Sequence, residues 1–224
     1  MPTNSMANMT GWPVRWTMLP EMNDKNANIQ RVAEEALKDA KLLSELLDGL
    51  KSKKETFRYN CFKVLDLISE EHGDMLYPEW DTFVEQLNSD NTYWKLSGLQ
   101  LIANLTKVDT ENKFEEIFDR YYHLLDDRSM ITAVYIARNS GKIVRTKPEL
   151  ESSITDKLLN IDETHHDPER RDLIKSGVIE AFGEYYELAS DKGRIVEFVR
   201  HQLDSKSPKT KKLARAFLTR FGAR

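Results

Sequence analysis

Val-Glu-Gln-Leu-Asn-Ser-Asp-Asn-Thr-Tyr-Trp-Lys-Leu-Ser-Gly-Leu-Gln-Leu-Ile, residues 84–102, decides the reading of this chain. An apolar helix end, Val84 to Leu87, meets a polar turn, Asn88 to Asn91. A second apolar run follows, with Leu96, Leu99 and Ile102 at steps of three. That spacing puts the apolar side chains on one face of a helix. The same phrase recurs with Leu50, Leu87, Leu125, Leu159 and Leu203 at the helix ends, spaced 37, 38, 34 and 44 residues apart. A repeat of this period is the signature of stacked helical hairpins, each burying its apolar face against the next.

Outward from this stretch the grammar is continuous. Ile29, Val32, Ala33, Ala36, Leu37, Ala40, Leu43 and Leu47 describe one amphipathic helix, with Gly49 closing it. Ser52 and Glu55 have the spacing of a capping box for the next helix, which Gly73 ends as a left-handed cap. Pro78 opens a helix with Trp80, Phe83, Val84 and Leu87 inward. Asp90 or Asn91 starts its partner, and Asp109 or Thr110 starts the third pair, whose second helix Asp127 caps. Pro148 begins the fourth pair. Asp167-Pro168 and Ser207-Pro208 place a capping side chain and a first-turn proline at two further starts. No Asn-Gly or Asp-Gly turn joins two alternating β-rich runs, so the expected class is all-α.

Composition agrees. Hydrophobic residues make up 40% and charged residues 31%, with only 9 Gly and 7 Pro to interrupt helices. The single cysteine, Cys61, excludes an intrachain disulfide framework and a multi-cysteine zinc site, and it reads as a small buried hydrophobe. No run approaches the roughly 18 apolar residues that span a bilayer. Residues 1–26 lack a signal-peptide pattern, which predicts a cytoplasmic protein with Asn8 and Asn104 unglycosylated. This segment reads as a flexible or loosely docked arm before a helical domain over 27–224. Trp12, Trp16 and Met18 are its anchors on the first helix pair, unless it serves as a recognition peptide.

Charge is segregated. The formal net charge is −4, yet residues 192–224 hold ten Lys and Arg against Glu197 and Asp204, a local charge of +8. Such asymmetry bears on partners rather than on fold.

The pairs Leu-Asp-Gly-Leu (47–50) with Glu-Thr-Phe-Arg-Tyr-Asn-Cys-Phe-Lys-Val-Leu (55–65), and Val84 to Leu87 with Tyr93 to Ile102, resemble HEAT repeats over residues 40–222. That family places a basic residue early in the second helix. Arg58, Lys95, Arg171 and Lys211 or Lys212 fill the slot here, while the middle repeat shows Thr132 instead. The resemblance implies a right-handed α-solenoid of about five antiparallel helix pairs, with second helices on the concave side. The expected function is a non-catalytic, cofactor-free protein-interaction scaffold or adaptor, since a solenoid offers an extended surface rather than a built-in reaction centre. The expected contact positions are Arg58, Lys95 and Arg138, with Lys209, Lys211, Lys212, Arg215 and Arg220 of the final helix. Those last five also suit nucleic-acid phosphates, although a terminal helix with a solvated outer face accounts for them equally. Phe217 and Phe221 have core spacing.

Chemistry-bearing motifs are sparse. Asp162-Glu-Thr-His-His-Asp167 gathers ligand types, but adjacent histidines are not an i, i+4 ligand pair and Asp167 has a capping task; an inter-repeat turn is expected. His72, His123 and His201 sit near helix ends, where a cation is favourable. The pairs Glu70-Glu71, Glu115-Glu116 and Asp126-Asp127 read as solvated faces. Trp80-Asp-Thr82 and Tyr93-Trp-Lys95 resemble segments of the HEAT-like alkylpurine DNA glycosylases, which makes a nucleic-acid or repair module the alternative. That family's catalytic aspartate position is occupied by Val84, with Glu85 turned ~100° around the helix.

Overall fold

The computed structural model describes residues 18–222, and every regular element among them is helical. No helix among the described residues is long and apolar enough to cross a membrane. The chain divides into two compact units, Met1–Leu65 and Asp66–Arg224.

In the first unit a short turn, α1 (Met18–Glu21), precedes α2 (Ile29–Ala36), α3 (Ala40–Gly49) and the start of α4 (Glu55–Glu71). Trp12, Trp16, Asn8 and the side chain of Met18 lie outside what is described. Met22 is fully buried, and the Asn60 amide donates to the carbonyls of Met22 and Asp24 at 2.9 and 2.7 Å. The single helix expected over 29–49 is two. Leu37, Lys38 and Asp39 turn tightly back onto α2, and the Asp39 carboxylate then accepts from the amides of Lys41 and Leu42 to start α3. A side chain able to cap from within an amphipathic run competes with continuation of the helix. Ser52 Oγ accepts from the amide of Lys54, one residue short of the expected box, and α4 begins at Glu55.

Gly73 is not the left-handed cap expected of it, since no glycine among the described residues has positive φ, and Gly49 ends α3 as expected. Its hydrogen faces the buried Cys61, where an added Cβ would stand 2.5 Å from Sγ. The glycine is there for helix-to-helix approach. Gly73 instead opens a 3₁₀ turn with Val108 beside it.

The second unit contains four helix pairs: α5 (Trp80–Gln86) with α6 (Thr92–Leu105), α7 (Lys113–His123) with α8 (Met130–Thr146), α9 (Glu151–Leu159) with α10 (Pro168–Tyr185), and α11 (Lys192–His201) with α12 (Pro208–Phe221). Second helices pack in sequence, α6 on α8, α8 on α10, and α10 on α12. The caps are side chains of the expected kind: Asn91 accepts from Trp94 N, Asp167 from Arg170 N and Ser207 from Thr210 N. Ser129 precedes α8, with Asp127 accepting from its amide at 2.8 Å. Trp80, Phe83, Val84 and Leu87 are all buried.

The repeat shows itself as a register. Thirty-eight residues separate the partners in Asp66–Asn104, Asn104–Lys142, Asp90–Arg128, Asp119–Lys157 and Asp156–Arg194. Not every apolar anchor lies where the phrase put it. Leu50, Leu87 and Leu125 are buried, but Leu203 is 36% exposed, and in the fourth copy Leu159 is half-buried while Leu158 and Ile161 are fully buried.

Candidate functional site: the open face of the second helices

Burial along α8 leaves one open stripe. Ile131, Tyr135, Arg138, Lys142 and Arg145 follow steps of four, three, four and three, and each is exposed or half-buried. Beside it α10 presents Leu173, Glu180 and Glu184. The charges on this face tie successive second helices together and, at one point, reach past a neighbour. Glu180 on α10 is held by Arg138 Nε at 2.8 Å and by Lys209 Nζ of α12 at 3.1 Å. Arg138 and Lys209, two of the expected contact residues, therefore share one carboxylate. Lys142 bonds Asn104 of α6 and reaches past it to Glu70 at the end of α4, at 2.6 Å. Arg145 pairs with Glu184 at 3.2 Å.

These links border a cleft of about 360 Å³ lined by Glu70, Asn104, Lys107, Lys142, Arg145 and Thr146. Behind it, burial raises the pKa of Asp66, opposed by the amide of Asn104 at 2.8 Å. Lys107 is exposed and forms no ion pair among the described residues. The sequence reading did not single out this group. Its only linear trace is a polar residue at each 38-residue step, Asp66, Asn104 and Lys142, on helices otherwise apolar toward their neighbours.

The other expected contact residues are scattered. Arg58, half-buried in the first unit, donates to the Ser52 carbonyl at 2.9 Å. Lys95 is not on an open face. It is 8% exposed and ion-paired with Asp127, so its charge is used between repeats. Arg171 and Lys175 both meet Asp162. On α12 the buried residues Thr210, Ala214, Phe217 and Phe221 leave Lys212, Arg215 and Arg220 exposed and Lys211 half-buried. Arg220 lies over the Phe221 ring at 4.7 Å. The helix has no acidic residue, and its three lysines, Lys209, Lys211 and Lys212, sit near its N-terminal end, where the helix dipole disfavours cations. Apart from Lys209, these α12 cations and the nearby Arg200 and Lys206 form no ion pair among the described residues.

The first glycosylase-like segment is anchored by a buried tryptophan. Trp80 is 1% exposed with its ring 5.9 Å from Tyr77, and Glu85, five residues on and so about 140° around the helix, points to solvent. The histidine-rich turn packs as a joint. His165 Nδ1 and its amide both bond Asp126 at 2.6 Å, which lowers the Asp126 pKa. His166 is buried, with Nε2 3.1 Å from the Leu125 carbonyl and Nδ1 without a partner. Among the described residues no group of three or more His, Cys, Asp or Glu is placed to hold a metal ion.

Burial lowers the His166 pKa below 6.5, with the Leu125 carbonyl opposing it. The unfolded chain thus binds a proton more readily than the folded one. The stability tied to neutral His166 is complete above the unfolded value and is lost as pH falls through it toward the folded value. Thermal unfolding followed between pH 7 and pH 5 is expected to show a midpoint that falls with acid, and a shallower fall in His166→Gln. Equal slopes would exclude His166 as the titrating group.

No family model matches the chain, and no curated protein matches it. Among solved structures it is similar to the crystal structure of an engineered protein, at 14% identity and a TM-score of 0.47, over 92% of this chain and 96% of that one.

Proposed function

We propose that this chain is a HEAT-like α-solenoid, right-handed and of about five helix pairs, acting in the cytoplasm as a non-catalytic scaffold for another protein. The observation that carries this reading is the contrast in charge pairing. Through Arg194 the cations of the second unit are mostly matched by acids, several of them one repeat away, as in Asp156–Arg194 and Asp119–Lys157. On α12 they are not. Exposed cations that no intrachain acid neutralises favour an acidic partner, chiefly through faster encounter and orientation. An acid-free helix also favours the second reading, nucleic-acid phosphate, which predicts steep salt dependence. The acidic remainder of the chain opposes a long polyanion and so favours the first.

Fluorescence anisotropy with a labelled oligoglutamate peptide and a labelled duplex DNA separates them. The peptide is expected to bind at low salt, and Lys212→Glu/Arg215→Glu to weaken it about tenfold, the equivalent of 1.4 kcal/mol. Tighter binding of the duplex, lost in the same variant, would establish the nucleic-acid reading instead. Binding of neither would remove α12 as a contact surface.

A further inference from the structure

We propose that the open face of α6, α8 and α10 seats a segment of another protein that carries an apolar cluster at one end and an acidic side chain at the other. This deepens the scaffold reading and rests on it, but uses a surface other than the exposed side of α12.

The apolar half comes from register. Links between α6 and α8 join residues 38 to 40 apart, as in Asn104–Lys142 and Leu99–Asn139. Links between α8 and α10 join residues 39 to 42 apart, as in Arg145–Glu184 and Arg138–Glu180. By that register Tyr93, Ile131 and Leu173 occupy one level near the N-terminal ends of three successive helices. They are 62%, 49% and 40% exposed. Large apolar residues exposed singly need no explanation, but three in a row across adjacent helices form a patch. Between this patch and the charged end the same face carries Tyr135 and Arg138 on α8 and Glu180 on α10.

The acidic half comes from charge. At the other end of the same stripe the cleft is lined by three cations, Lys107, Lys142 and Arg145, and one carboxylate, Glu70. Glu70 pairs with Lys142 and Glu184 pairs with Arg145, which leaves Lys107 without an acid. One further carboxylate therefore completes the cleft, and the Thr146 hydroxyl lies at its edge. From Ile131 to Arg145 along α8 is fourteen residues, about 21 Å at 1.5 Å each. An occupant aligned with α8 spans this with about fourteen residues as a helix or about six when extended.

Panning a random peptide display library against the whole chain tests this. Enriched peptides are expected to carry an apolar cluster and an Asp or Glu at one of those two spacings. Ile131→Glu and Lys107→Glu are each expected to weaken them tenfold or more, with unchanged circular dichroism and melting, since both side chains face solvent. Lys212→Glu/Arg215→Glu is expected to leave them bound. No enrichment, enrichment without the acid, or affinity indifferent to both single substitutions would overturn the proposal. Peptides that depend on Lys212 and Arg215 alone would keep the scaffold reading and discard this site.

Discussion

Asp109→Ala is expected to destabilise the chain by about 3–5 kcal/mol, the range for removing one partner from a buried charge network. Four donors converge on this carboxylate, whose side chain is fully buried. Tyr77 Oη donates at 2.7 Å, the amides of Lys113 and Phe114 at 3.0 Å each, and Lys147 Nζ at 3.1 Å. The two amides are among those that α7 cannot satisfy internally, and Asn112, in the left-handed region at φ 58°, turns the chain so that they face Asp109. Burial opposes ionisation of Asp109, yet these donors outweigh it and its pKa is lowered. The stabilisation is therefore present above the ordinary carboxylate range and is lost as pH falls below it. Chemical denaturation at neutral pH measures the loss. Tyr77→Phe, which removes one neutral donor and leaves the ion pair, is expected to cost about 1 kcal/mol. A small effect of Asp109→Ala would mean that water replaces the carboxylate and that the site is not closed.

Lys95→Ala is expected to cost a similar amount, about 3–5 kcal/mol, because it leaves Asp127 charged and enclosed. The two side chains are 10% and 8% exposed. Burial raises the Asp127 pKa, but Lys95 and the amide of Ser129 more than offset this, so the group stays ionised at neutral pH. The double variant Lys95→Met/Asp127→Leu is expected to recover most of the loss, since an apolar pair needs no desolvation of charge. A double-mutant cycle in urea gives the coupling directly. If the double variant is no more stable than Lys95→Ala, the pair is not coupled through charge.

Lys95 also shows where linear reading stops. It fills the same early-helix slot as Arg58, Arg171 and Lys211, and all four look alike as exposed basic positions. The tertiary setting separates them. Lys95 has Asp127 of the next turn within reach, Arg58 closes on its own Ser52 carbonyl, and Lys211 forms no ion pair among the described residues. Gly49 gives a similar lesson. A glycine at a helix end reads as a terminator, and only the approach of Cys61 shows that its missing Cβ makes room between helices. The burial that removes space at Gly49 also pushes the Cys61 thiol up to about 12, consistent with the small-hydrophobe reading. The Cys61 thiol is accordingly an apolar packing group at neutral pH.

The sequence by itself determined the helical class, the turn caps at Asn91, Asp167 and Ser207, and the concentration of positive charge after residue 191. Each of these depends on interactions within a few residues, which spacing and residue type specify. Only the tertiary structure decided that Arg138 and Lys209 share Glu180, that Lys142 joins Asn104 of α6 to Glu70, and that Lys107, Lys212, Arg215 and Arg220 have no acid among the described residues. Whether a charge is neutralised depends on a separation of a few ångströms between helices one or two repeats apart. Packing of the intervening helices sets that separation, and the periodicity of any single helix does not contain it.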